Sequence, residues 1–544
     1  MNSVIFTVTR VGTRLFRRIR VAHKPGFAIC LLALCGGAAA QKLADGNTDW
    51  AMYNGSYSAD RFSELVQITP KNVGTLREVG RYDLPETTSF QAGPVVIGDT
   101  MYVTTPTGTY AINAATGKLL WSQNYPAKSF GLGTPVRGVA YAEGRLYRGT
   151  PDGHVLSMDA KTGKTIWDVV ASDAANGEYF TAVPVVWKNR VYIGNSGSDV
   201  GAIGRVMAFD AKDGRRVWSF DVVPSSGPGS ETWPSDPNKI RAGGGMYSSF
   251  ALDTSTGLLY VPTGNPGPDF APEYRSGKNL FTCSVVVLDS TTGALRAYHQ
   301  FVPNDSHDWD TAASPILFTS KAGHQMVAVG SKNGYLYGLS RDLSSVAYQV
   351  PITTIENTEA PLTAEGTRFC PGTQGGVNWY GPAYSPKQNA VYVNSIDWCT
   401  VIKKGGPDSL EHKAGTPFLG SSNAFGDSDS QNKTGWLTAV NADSGKTLWK
   451  YHASQPLVAA ITPTASGLVF TADLEGYLLA FDAESGKLLL HIKAGDPIGG
   501  GVVTYMLGGK QYVAVAAGMK NAIMKTESGP GAVVIYALPS SIEQ

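Results

Sequence analysis

The chain has 544 residues, with 45 Lys and Arg against 44 Asp and Glu and only 16% charged residues, for a formal net charge of +1. A balance this even argues against nucleic acid or an anionic membrane surface as the partner. Its 63 Gly, 31 Pro, 25 Tyr and 11 Trp, without a long apolar segment of period 3.6, favour many short strands joined by tight turns.

Residues 1–40 read as a secretory signal. Arg10, Arg14, Arg17, Arg18, Arg20 and Lys24 precede a short apolar run from Phe27 to Leu34, and the segment ends in Ala38-Ala39-Ala40. The mature chain is expected to begin at Gln41, to be net acidic because the leader carries basic residues and no acid, and to reside in the periplasm. No stretch reaches the roughly 18 apolar residues of a membrane-crossing helix, so no transmembrane helix is expected in the mature chain. Cys30 and Cys35 leave with the leader, and an oxidising compartment admits one disulfide among Cys283, Cys370 and Cys399. There is no CxxCH for covalent haem and no Cys/His cluster with zinc spacing.

One pattern then recurs along residues 41–544, which are expected to form one domain: Ala-x-Asp-x-x-Thr-Gly-x-x-x-Trp. It runs from Asn113 through Gly117 to Trp121, from Asp159 through Gly163 to Trp167, from Asp210 through Gly214 to Trp218, and from Asn441 through Gly445 to Trp449. Eroded copies run from Asp289 to Ala297 and from Asp482 to Leu490. Asp or Asn opens a tight turn by bonding nearby backbone amides, and Gly supplies the positive φ that closes it. Each unit follows a β-rich run, such as Met101-Tyr-Val-Thr-Thr or Arg190-Val-Tyr-Ile-Gly, and the turns recur at about the spacing of a four-stranded propeller blade. The terminal Trp suits a fastener between blades that cannot bury their own faces. Unrelated hairpins in a sandwich would show such a turn once or twice, not repeatedly with a fixed Gly-to-Trp offset.

These units resemble the tryptophan-docking repeats of the pyrroloquinoline quinone (PQQ)-dependent alcohol and methanol dehydrogenases. Trp50 through Arg61 to Leu76 is similar to that family's opening segment and Gly509 to Gly518 to its closing one. The resemblance implies an all-β, eight-bladed β-propeller around a funnel holding PQQ and a metal ion. PQQ is a flat tricarboxylate ortho-quinone and needs cationic and hydroxyl donors at its rim and apolar faces above and below. By resemblance Arg137 binds a carboxylate, Thr150 bonds the cofactor, Ser196, Gly197 and Ser198 line one edge, Lys332 lies beside the quinone oxygens, and Asn378 adds a polar contact. Asn265, Asp199 and Asp310 fall on the metal-ligand positions, hard oxygens suited to Ca2+. Asp310 is also the expected general base and Lys332 its catalytic companion. Lanthanide-dependent relatives carry a second aspartate where this chain has Ala312, which favours calcium. Cys370 and Cys399 match a family disulfide, leaving Cys283 as a buried thiol.

The chain departs from the family in four places. The ring of adjacent half-cystines expected over the quinone is replaced by Phe130-Gly-Leu-Gly-Thr-Pro135. Tyr247 stands where a supporting tryptophan is usual. Gln91 replaces a glutamate near the cofactor, and Asp199 is a methylene shorter than the usual ligand. The expected activity is oxidation of an alcohol, polyol or sugar, with electrons passed to a cytochrome c or a membrane quinone-linked acceptor. A propeller without cofactor, serving as a binding or assembly scaffold, is the alternative. Asp397 and Trp398 are expected near the funnel mouth.

Overall fold

Apolar runs punctuated by the Asp/Asn…Gly turns become, in a computed structural model, eight antiparallel four-stranded sheets, each a meander in sequence order. Residues 48–126, 135–424 and 433–539 are described; the expected leader and nearly all of the half-cystine replacement lie outside them. The first seven blades span 95–124, 140–170, 185–221, 251–300, 316–351, 383–453 and 462–493. The eighth takes three strands from 502–537 and its fourth, Arg77–Asp83, from the start of the chain, pairing Arg77 with Ala537 and Asp83 with Ala532. The first strand thus closes the ring on the last sheet, leaving no blade incomplete.

Burial follows position within a blade. Second strands such as Thr100–Thr104 and Leu468–Ala472 are buried almost throughout, because neighbouring blades cover both faces. Outermost strands such as Leu119–Asn124 and Arg216–Asp221 instead show the period-two exposure of a half-covered strand.

The tryptophans fasten successive blades as expected. Trp121 Nε1 donates to Ala160 O (3.2 Å), Trp167 Nε1 to Ala211 O (3.1 Å), Trp218 Nε1 to Ser290 O (3.0 Å) and Trp449 Nε1 to Ala483 O (3.1 Å). Each ring lies on the turn of the next repeat. At Gly163, with φ +72°, a Cβ would sit 2.6 Å from Trp121 Cε3, so this glycine is required by its backbone and by its neighbour alike. The fifth blade holds a copy that the sequence pattern did not reveal: Ser340 opens its turn and Tyr348, in place of Trp, packs over Gly445. Leu490, where the ring is lost, packs into the core of the last two blades.

Cys370 and Cys399 form the expected disulfide, beside the short ladder of Thr367–Phe369 with Thr400–Ile402. Cys283 is a buried free thiol whose pKa burial pushes up. Three connections between second and third strands are long: 263–283 in blade four, the one containing 403–424 in blade six, and 518–531 in blade eight.

Candidate active site

Two kinds of segment point side chains at the propeller axis: the run entering a blade's first strand and the connection between its second and third strands. The first kind brings Gln91, Arg137, Tyr247, Asp310 and Asn378; the second brings Ser196 to Asp199, Asn265 and Lys332. Apart from Asn265 they border one cavity of about 360 Å³. Ten of the twelve residues expected at the site therefore line a single space, although they come from loops scattered along the chain.

Asp310 is the hub. Its Oδ1 accepts from the Asn265 backbone N–H (2.9 Å), and its Oδ2 accepts from Lys332 Nζ (3.0 Å) and Tyr247 Oη (3.1 Å). The approach of Asp310 depends on Gly264, where a Cβ would come within 2.7 Å of Oδ1. Lys332 is also paired with Asp308 Oδ1 at 3.0 Å. Burial pulls the Lys332 ammonium down, but the Asp308 and Asp310 carboxylates outweigh it and hold its pKa well above the ordinary value, so it stays charged. Burial, with Asp310 adding, raises the Tyr247 phenol well above its usual range, so its hydroxyl remains a donor. Asp199 is exposed where it opens onto the cavity; desolvation by the surrounding fold and the Asp310 charge push its carboxyl up to about 6 against the pull of Lys332.

The donor set suits a hard cation. Asn265 Oδ1 is buried with no hydrogen-bond partner, on the residue whose backbone is bonded to Asp310, and Asp199 senses Asp310 directly. Among the described residues no three His, Cys, Asp or Glu side chains converge to hold an ion by themselves. These two carboxylates and the amide oxygen are hard donors of the type a divalent cation takes.

Arg137 supplies the opposite charge. It is 5% exposed, forms no salt bridge among the described residues, and its Nε has no partner. Nη1 donates to Tyr247 O (2.6 Å), and the guanidinium lies 5.3 Å from the Tyr247 ring and 5.5 Å from the Trp379 ring. A buried cation without a counter-charge is costly, and an anionic ligand at this position relieves it. Gln91 Oε1 is likewise buried without a partner. Ser196 and Ser198 border the cavity, but their hydroxyls are engaged in the wall: Ser196 Oγ donates to Met246 O (2.8 Å), and Ser198 Oγ accepts from Gly245 N (2.7 Å). Asn378 Oδ1 accepts from Tyr247 Oη (3.3 Å).

Thr150 departs from expectation. It is fully buried off the cavity wall, with Oγ1 bonded to Asp152 Oδ1 (2.5 Å) and accepting from His154 N (3.0 Å), so its hydroxyl closes a turn; Thr181 stands on the wall instead. Asp397 and Trp398 do not border the cavity either. Asp397 accepts from Trp436 Nε1 (2.8 Å), and Trp398 is buried in the aromatic cluster behind Trp379. Sequence reasoning missed Asp308 as the second partner of Lys332, although the Asp-Trp-Asp spacing around Trp309 already placed both carboxylates on one loop. It also missed the 403–424 connection, which crosses to blades three and four: Phe418 N donates to Asp199 O (2.8 Å) and Phe270 N to Leu419 O (2.9 Å). No local signal marks that crossing.

The chain is similar to known β-propeller dehydrogenases. The family model described as the glucose/ethanol/alcohol dehydrogenase β-propeller domain matches residues 50–351, and one described as outer membrane protein assembly factor BamB matches 433–528. The lanthanide-dependent methanol dehydrogenase of Methylacidiphilum fumariolicum (strain SolV) is 30% identical over 86% of this chain and 84% of its own. Quinohemoprotein alcohol dehydrogenase ADH IIB of Pseudomonas putida is 30% identical over 90% of this chain and 76% of its own. A europium-containing methanol dehydrogenase structure superposes with a TM-score of 0.82 at 28% identity, covering 90% of this chain and 98% of that one.

Proposed function

This chain belongs to the PQQ-dependent glucose/ethanol/alcohol dehydrogenase β-propeller family, and on that premise we propose that it is a periplasmic enzyme, mature from Gln41, that oxidises an alcohol to the carbonyl compound using PQQ and calcium. The observation that carries this reading is the convergence of an unpaired buried arginine, Arg137, with the Asp310–Lys332 pair on one cavity. Arg137 is fitted to hold the acid rim of the cofactor, Gln91 Oε1 can accept from a ring N–H, and Tyr247 and Trp379 supply aromatic surface. When bound, PQQ supplies the two-electron acceptor for the hydride of the carbinol carbon, and the cation polarises it.

The protein's own groups do the rest. Asp310 takes the hydroxyl proton, and the donors on its two oxygens, Lys332, Tyr247 and the Asn265 amide, fix its orientation. Lys332, held charged by two carboxylates, stabilises negative charge developing beside it. Asn265, Asp199 and Asp310 are the proposed calcium ligands; Ala312, whose carbonyl accepts from Ser248 Oγ, offers no further carboxylate for a trivalent ion. Electrons would pass to a cytochrome c or a membrane quinone-linked partner. No helix among the described residues is long and apolar enough to cross a membrane.

Reconstitution tests this directly. Apoprotein given PQQ and calcium should reduce an artificial dye with an alcohol, and Asp310→Asn should lose that turnover while still quenching PQQ fluorescence. A protein that leaves PQQ free in solution would instead be a binding scaffold.

A further inference from the structure

The cavity lining has a polar part and an apolar part. In the polar part Asp310 and Lys332 are paired, and Arg137 and Asn378 bond Tyr247. In the apolar part the 403–424 connection contributes Pro417 and Leu419, anchored across the ring by Phe418 to Asp199 and by Leu419 to Phe270, with the Phe418 ring edge-on to Tyr274 (centroids 5.7 Å apart). From blade eight the 518–531 connection adds Ile523 and Met524, and blade three adds Val200. Asn521 also lines the mouth, but its side chain is used up internally: Oδ1 accepts from Met524 N (2.9 Å) and Nδ2 donates to Ser89 Oγ (3.2 Å). Thr373, whose buried Oγ1 lacks a partner, Gln374 and Tyr179 also border the cavity and are the polar contacts left to a substrate.

We propose that this mouth, walled by Val200, Pro417, Leu419, Ile523 and Met524, selects alcohols carrying an unbranched apolar tail and rejects polyols and sugars of equal length. The inference rests on the dehydrogenase reading and narrows its substrate. An alkyl tail entering the mouth exchanges water for methylene contacts, whereas each extra hydroxyl of a polyol loses its water partners and finds few replacements. A wall of this kind discriminates by tail length only modestly per methylene but strongly against several unpaired hydroxyls at once.

The test uses the PQQ- and calcium-loaded enzyme with straight-chain primary alcohols, glycerol, sorbitol and glucose. kcat/KM should rise about fourfold per methylene until the mouth is filled, and polyols should fall about a hundredfold or more below alkanols of equal carbon count. Ile523→Asn combined with Met524→Gln should flatten the chain-length slope to less than about twofold per methylene, mainly through KM, while Ile523→Leu keeps it. PQQ fluorescence quenching is measured on every variant, so that a folding or loading defect is seen separately. A polyol or sugar as best substrate, a flat slope in the parent enzyme, or an unchanged slope in the double variant overturns the inference and leaves the dehydrogenase reading standing. Failure of the parent protein to bind PQQ overturns both.

Discussion

Replacing Lys332 with methionine removes an ammonium held 3.0 Å from each of two carboxylates, Asp308 and Asp310, at a site where the lysine is 5% exposed. Chain volume is nearly preserved, so the change is electrostatic: two buried acids lose their shared partner. Breaking a buried pair in this way costs about 3–5 kcal/mol. A chain of this length unfolds with an entropy of roughly 1 kcal/mol per kelvin, so the apoprotein should melt about 3–5 °C lower, compared at a fixed scan rate. The pH dependence has a definite sign. The Lys332 ammonium is held above its ordinary value, so in the parent protein its contribution persists throughout the neutral range and is lost only at strongly alkaline pH. Differential scanning calorimetry of parent and variant near neutral pH is the assay. A shift below about 1 °C would show that Lys332 is not the charge that makes this acidic site tenable.

Three further outcomes follow from the same geometry. Arg137→Leu should weaken PQQ binding by roughly 10- to 100-fold, as expected for a lost charged hydrogen bond, yet leave the apoprotein no less stable, because it removes a buried charge without a counter-ion; fluorescence titration and melting read the two halves. Asp199 titrates near 6, so calcium affinity should climb by up to about tenfold per pH unit below that value and level off above it, while the apoprotein itself loses stability as pH rises from about 4 to about 6; calorimetric titration of Asp199→Asn should show no such climb. Trp167→Ala removes both an interblade ring and its bond to Ala211 O and should cost about 3 kcal/mol, or about 3 °C, without changing PQQ affinity.

Much of the architecture was legible because its signals are local. The Asn113 or Asp159 side chain bonding the next amides, a glycine at positive φ four residues on, and a ring four residues further each need only their own hairpin, so one chain segment reveals them. The fifth copy escaped because Ser340 and Tyr348 do the same work with other residue types. At the site, the motifs singled out Arg137, Asp310, Lys332 and Asp199, which come to border one cavity, and Asn265, whose backbone bonds Asp310. Thr150 lies off that cavity's wall, and a turn hydroxyl and a ligand hydroxyl look alike until their bonding partners are known.

By itself, then, the sequence determined the repeated hairpin, its fasteners, and which residue types the chemistry would use, since hydrogen-bonding turns and β periodicity act over a few residues. Only the tertiary structure decided that Arg77–Asp83 closes the ring, that Asp308 shares Lys332 with Asp310, and that a loop of blade six lines the cavity with apolar side chains beside blade three. Those contacts join segments far apart along the chain, and their existence depends on how eight sheets pack around one axis, a property that no single stretch of residues carries.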